Sequence, residues 1–413
     1  MINAKLLNNI KIDNQYRWIV VFICWVAHTF YFLNYMTIGV LAPFIKSELN
    51  ISSGRVGFLS SAITMGSTII NIPAGVLSDM YGAKRVMGLG LLITGLSAIL
   101  ISLTHSYLVI FSLLILMGIG IGCNQTPAVK AVIMWFPLKG RATALGIKQS
   151  GSNMGGLLAS FLLPVIALQF NSWRYSFVIA GLAAIISAIL IFFVYQDPPP
   201  YPGDSSQATH QIKVSLFRLF FEKDFILICL IGILFMAAQL SFLTYFVLYV
   251  NHGLSLSINK AGLFLALAFI MGGVGRVGWS MVSDYLSNGR RRITLIFIGM
   301  IGAFTSGAFV LLRPHPSTSL ILFFTILFGL TGLGWNAVYL TMAGEFPGKK
   351  LIGIATGIAF VIPNIGAIIG PPIFGYLVDL TGGYRSSWIF ICFCMIMIVF
   401  LNRIQKKERM VSE

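Results

Sequence analysis

From residue 17 onward, long apolar blocks alternate with short polar stretches, and the alternation repeats twelve times. The blocks run over 17–42, 55–78, 85–104, 107–136, 142–168, 174–196, 225–250, 259–283, 293–312, 318–344, 351–378 and 386–402. Most reach the roughly 20 residues that a helix rising about 1.5 Å per residue needs to cross a ~30 Å hydrocarbon layer. The pattern therefore predicts twelve membrane-spanning helices and no sheet.

Composition agrees with that pattern. Of 413 residues, 57% are hydrophobic and 10% charged, which leaves too little polar surface for a soluble domain of this length. The first block outruns a cleaved leader and ends in Ala42-Pro43 without a small-residue cleavage site, so it is expected to stay. All five cysteines fall inside blocks, and no Cys/His pair has zinc spacing. No disulfide, metal or cofactor is expected.

The net charge of +16 raises the question of nucleic acid, and its distribution answers it. With a cytoplasmic N-terminus, 19 of the 28 Lys and Arg residues fall on the cytoplasmic side and six on the other (Lys46, Arg55, Arg174, Lys260, Arg313 and Arg385). Lys130, Lys148 and Arg276 lie within blocks. A threefold excess follows the positive-inside rule. The expectation is a multi-pass protein of a bacterial inner membrane, surrounded by lipid, with both termini cytoplasmic and no nucleic-acid partner.

The only long polar stretch, 196–223, opens with a proline run and reads as a linker between an N-terminal bundle, 1–195, and a C-terminal bundle, 224–413. The two halves repeat at a shift of about 211: Gly146 meets Gly357, Asn153 meets Asn364, Gly155 meets Gly366, Arg174 meets Arg385, and Gln125 meets Asn336. An ordered set across three consecutive helices indicates two homologous six-helix bundles, with a site expected where they meet near mid-membrane.

Between the second and third blocks stands GVLSDMYGAKR, with Gly75, Asp79, Gly82 and Arg85; SMVSDYLSNGRRR is its degenerate copy. This loop resembles the signature of the major facilitator superfamily, departing at Met80 where a basic residue is usual. The resemblance covers about 380 residues. It implies an all-α membrane fold of twelve helices in two pseudo-symmetric six-helix bundles, and rocker-switch alternating access around a central cavity. In physical terms, Asp79 is placed to dock on the positive N-terminal end of the eleventh helix near Leu351, and Asp284 to do the same to the fifth near Arg141.

No Asp or Glu falls in the interior of a block, so an organic cation would find no fixed negative charge. The three internal cations must snorkel, meet water or bind an anion brought from outside. Arg276 lies among Gly272, Gly273, Gly275 and Gly278, and its planar fork suits a carboxylate. An arginine at this place also resembles the monocarboxylate and oxalate transporter branches, where it contacts the substrate carboxylate. Lys148, with Gln149 beside it, and Lys130 are the next candidates; structural charges reaching the surface are the alternative for all three.

In the first block His28, Tyr31 and Tyr35 share one helical face. Further polar groups near mid-depth are Asn124, Gln125, Gln239, Trp335, Asn336 and Tyr339; each serves either a site or interhelical packing. Without a buried carboxylate as relay, His28, with a reference pKa near about 6.5, is the expected proton carrier if protons are coupled. The stretch GIKQSGSNMGG partly resembles the antiporter motif of drug exporters but has Ser152 in place of proline. It is also similar to the nitrate-porter signature, yet Asn71 stands where a second arginine belongs, and glycine-mediated packing explains the motif.

The reading is a carrier of small organic anions, mono- or dicarboxylates, acting as exchanger, facilitator or proton symporter and expected to be a monomer by analogy. The alternatives are an exporter of an amphiphilic metabolite or drug and, behind it, a nitrate or nitrite porter and a transporter-like sensor. No nucleophile, base and orienting group cluster in any motif, so an enzyme is not expected.

Overall fold

The computed structural model describes residues 4–136, 141–197, 222–287, 290–346 and 352–405, the side chains at 4–14, 141–143, 352–354 and 356 excepted. Among them, twelve helices are long and apolar enough to cross a membrane. Spans one to six are Gln15–Leu49, Ser53–Tyr81, Ala83–Leu103, Tyr107–Trp135, Ala144–Gln169 and Trp173–Val194. Spans seven to twelve are Lys223–Gly253, Ile258–Leu286, Arg291–Leu311, Thr318–Glu345, Gly357–Thr381 and Arg385–Ile404.

Span one continues seven residues beyond its apolar block, past Pro43 and the charged Lys46 and Glu48. Hydropathy marks where the hydrocarbon ends; helix termination is a backbone event. Here it comes at Asn50, whose positive φ of 48° is a left-handed conformation that asparagine tolerates.

Among the described residues, three spans are discontinuous. Span one turns at Met36. Span ten is a helix Thr318–Gly332, a turn at 333–335 and a second helix Asn336–Glu345. Span eleven is broken at 362–363, where Pro363 cannot continue the backbone ladder. Such breaks leave carbonyl groups that need donors inside a membrane.

The chain groups into two compact units: Met1–Thr37 with Ala62–Pro200, and Ile38–Ser61 with Tyr201–Glu413. The distal part of span one and the first turns of span two thus belong with the C-terminal spans.

Within each unit, glycines let backbones touch. In the first unit, Gly151 and Gly155 set span five on span one, against Trp25 and His28 and against Thr29 and Leu33. In the second, Gly366 and Gly370 set span eleven on span seven, against the carbonyls of Ile233 and Ala237. Gly155 and Gly366 are the repeat partners read from the sequence, and each packs against the carbonyl of a residue on the first helix of its half. Small residues four apart are the membrane's means of close helix approach.

Gly82 in the signature loop has φ 85° and ψ 149°, a region essentially reserved for glycine. A side chain there would collide with Asp197. The Asp197 carboxylate accepts the Lys84 N–H at 3.1 Å and so satisfies a free donor at the start of span three.

Candidate functional site

In the first unit span one presents its polar face as the periodicity predicts. Tyr31 and His28 stack at 4.6 Å between ring centroids, and the Tyr31 hydroxyl shares a 3.0 Å hydrogen bond with His28 Nε2. The Gln125 amide of span four reaches the same hydroxyl. Tyr35, one turn further on, bonds Thr64 Oγ1 of span two at 2.8 Å. His28 and Tyr31 are buried. The three side chains and Gln125 form one hydrogen-bonding face in the interior of this unit.

Lys148 is only 2% exposed although it lies two turns from the start of its helix at Arg141. A lysine at that depth ordinarily snorkels to the surface. Instead the ammonium stays inside beside Cys24 of span one. Among the described residues no carboxylate pairs with it. Cys24, four residues before His28 on the same face, escaped the sequence reading, although that spacing could have signalled it. Gln149, one residue on, is exposed.

Lys130 behaves differently. Its ammonium reaches the end of its unit and pairs with Asp79, also facing the Ser78 carbonyl at 3.4 Å. The Asp79 carboxylate, read from the sequence as a partner for the start of span eleven, is thus held by span four in this structure, and Arg85 is exposed. Gly75 admits Thr126 of span four close to span two. Asn124 turns away from the His28 cluster: its amide donates to the Gly120 carbonyl at 3.0 Å and packs on Gly90 of span three. One residue is about 100° of helix rotation, so neighbours Asn124 and Gln125 face different partners.

In the second unit the break in span ten organises the polar groups. Trp279 Nε1 donates to the Leu330 carbonyl at 2.8 Å, and Arg276 Nε faces the Leu333 carbonyl at 3.4 Å. Both acceptors belong to the interrupted stretch. Gly275 and Gly334 meet there backbone to backbone, which fixes the partly buried Arg276 beside the break. Trp335, last residue of the turn, stacks on Phe235 of span seven at 4.6 Å and 6°, and its indole donates to Gln239 Oε1 at 2.8 Å. Tyr339 packs on the Trp335 ring at 5.2 Å with its hydroxyl against Gly232. Asn336, beginning the second half of span ten, is partly buried.

Asp284 pairs with Arg291, which also bonds Glu345 at 3.3 Å, so this carboxylate too is engaged inside its own unit. The expected partner Arg141 and the Leu351 region lie outside the described side chains. Every described carboxylate within a span stands within two residues of that span's end. Among the described residues no group of three His, Cys, Asp or Glu side chains could hold a metal.

Twelve spans in two related halves, with polar clusters buried inside each, define an integral membrane transporter. The chain matches the family model described as Major Facilitator Superfamily over residues 24–369, and it belongs to that family. It is 26% identical over 393 residues to the hexuronate transporter of Bacillus subtilis (strain 168), covering 90% of each chain. It is 24% identical to the probable L-galactonate transporter of Escherichia coli (strain K12), covering 88% of this chain and 83% of that one. Among solved structures, a bacterial homolog of the human lysosomal transporter Spinster superposes with a TM-score of 0.80 at 17% identity, covering 94% of this chain and 96% of the other. That likeness speaks to the fold alone.

Proposed function

We propose that this protein carries small organic anions across a bacterial inner membrane by alternating access, with Arg276 as the carboxylate clamp and Lys148 assisting. The observation that carries the reading is the pattern of internal charge: each unit keeps a cation in a span interior, and every described carboxylate in a span stands at an end. A buried ammonium without a fixed counter-charge is costly, and a mobile anion is the group that relieves it.

The names of the relatives support the class. Hexuronate, galactarate/D-glucarate and L-galactonate are carboxylates bearing several hydroxyls. Hydroxyls need donors and acceptors of the kind that Gln125, Asn336 and Gln239 supply. The positive-inside distribution supports a cytoplasmic position for both termini. If protons are coupled, His28 is the group to carry them, since no described carboxylate stands near mid-span.

The test is uptake of a panel of labelled sugar acids and simple mono- and dicarboxylates into proteoliposomes, with and without a pH gradient. Saturable uptake that is lost in Arg276→Gln supports the reading. Folded protein that moves none of these anions removes it.

A further inference from the structure

The segment 38–61 groups with the C-terminal spans, and its contacts show what holds it there. Asp379, near the end of span eleven, accepts the backbone N–H of Ser53 at 2.8 Å and of Gly54 at 2.7 Å, the first residues of span two. The buried Tyr245 hydroxyl of span seven donates to the Ser53 carbonyl at 2.5 Å. It sits between Gly57 of span two and Gly375 of span eleven, either of which would strike it if given a side chain. A turn deeper, Ser60 Oγ bonds Thr244 Oγ1 at 2.8 Å, and Ser61 Oγ donates to the Ile368 carbonyl at 2.6 Å.

We propose that Asp379 and Tyr245 are functional residues of the transport cycle, forming a releasable latch that grips the start of span two and lets go when this end of spans one and two leaves spans seven and eleven. Three features suit a latch better than a permanent joint. The contact is made at free backbone donors on a helix end, where a carboxylate gains from both hydrogen bonds and the helix dipole and can be replaced by water on release. The close contacts at the latch are made by glycines and hydroxyls, Gly57 and Gly375 on the Tyr245 hydroxyl and Ser60 on Thr244, polar groups that water can satisfy once they part. Asp379 itself is exposed, so its charge is readily rehydrated.

There is also a reciprocity. Asp79 ends span two and was expected at the start of span eleven; Asp379 ends span eleven and is found at the start of span two. In this structure Asp79 is held by Lys130 inside its own unit, while Asp379 is engaged at the start of span two.

The test uses full-length protein in nanodiscs with its five native cysteines replaced and a single Ser60→Cys, a position 7% exposed while the latch is closed. The rate of labelling by a hydrophilic maleimide is compared with Asp379 intact, with Asp379→Ala and with Tyr245→Phe. Loss of charge-assisted bonds should raise labelling about tenfold or more in Asp379→Ala, with a smaller rise in Tyr245→Phe. Size-exclusion profiles and thermal midpoints of the variants separate opening from unfolding. Unchanged labelling in folded Asp379→Ala overturns the proposal.

A second arm places Ser60→Cys with Thr244→Cys in the same background: oxidation should stop transport and reduction restore it, and undiminished transport by cross-linked protein overturns release. The labelling arm needs no substrate, so its outcome is independent of the anion reading.

Discussion

The indole of Trp335 donates to the side-chain carbonyl of Gln239 across 2.8 Å, joining the broken span ten to span seven. Gln239→Leu should strand a buried N–H, at about 1–3 kcal/mol of stability. Gln239→Glu keeps an acceptor and adds a negative charge, so it should unfold later than Gln239→Leu in a thermal scan yet show the larger rise in KM for an anion. Equal KM values for the two variants would separate Gln239 from the substrate.

Lys148 makes the sharpest contrast between stability and function. Lys148→Met removes a buried charge that no described carboxylate pairs with, so the thermal midpoint should hold or rise. Anion uptake should fall at least about tenfold, the weight of one charge-assisted contact. Uptake at the wild-type rate in Lys148→Met would leave the lysine without a part in binding.

Lys130 should answer differently. Its ion pair with Asp79 is partly exposed, at 31% and 66% for the two side chains, so breaking it costs at most about 1 kcal/mol. Lys130→Gln is expected to leave KM within about twofold of wild type, well under 1 kcal/mol of binding, and to change the maximal rate, because it releases the Asp79 carboxylate at the end of span two. A rise in KM matching that of Lys148→Met would return Lys130 to the binding residues.

Gly155 and Gly146 lie on the same helix and should differ strongly. A Cβ at Gly155 would overlap the Thr29 carbonyl, a backbone atom that cannot step aside, whereas one at Gly146 meets nothing within 4 Å. Gly155→Val should lower folded yield by size exclusion, at about 3 kcal/mol or more. Gly146→Ala should be neutral or stabilise by up to about 1 kcal/mol.

His28→Gln tests coupling. Any stimulation of uptake by an inward proton gradient should disappear while counterflow of labelled against unlabelled substrate continues. Stimulation that survives the substitution removes His28 as carrier.

The sequence by itself determined the spans, the internal repeat and the family. These follow from local rules, apolar block length against bilayer thickness and the spacing of glycines and charges, which need no knowledge of neighbours. It also put Tyr31 and His28 on one face and showed that no carboxylate stands in a span interior. What it left open were contacts between distant helices. Lys130 and Lys148 read alike, each about two turns from a helix end, yet one finds Asp79 and the other stays beside Cys24; depth along a helix is legible, azimuth relative to neighbours is not. The break in span ten interrupts an unbroken apolar pattern, because it is stabilised by Trp279 and Arg276 of another span. Asp379 read only as one of the carboxylates outside the block interiors until the fold brought the start of span two, 326 positions away in sequence, within its reach. Tertiary structure decided these points because a hydrogen bond depends on the position of both partners, and the sequence gives the position of only one along its own helix.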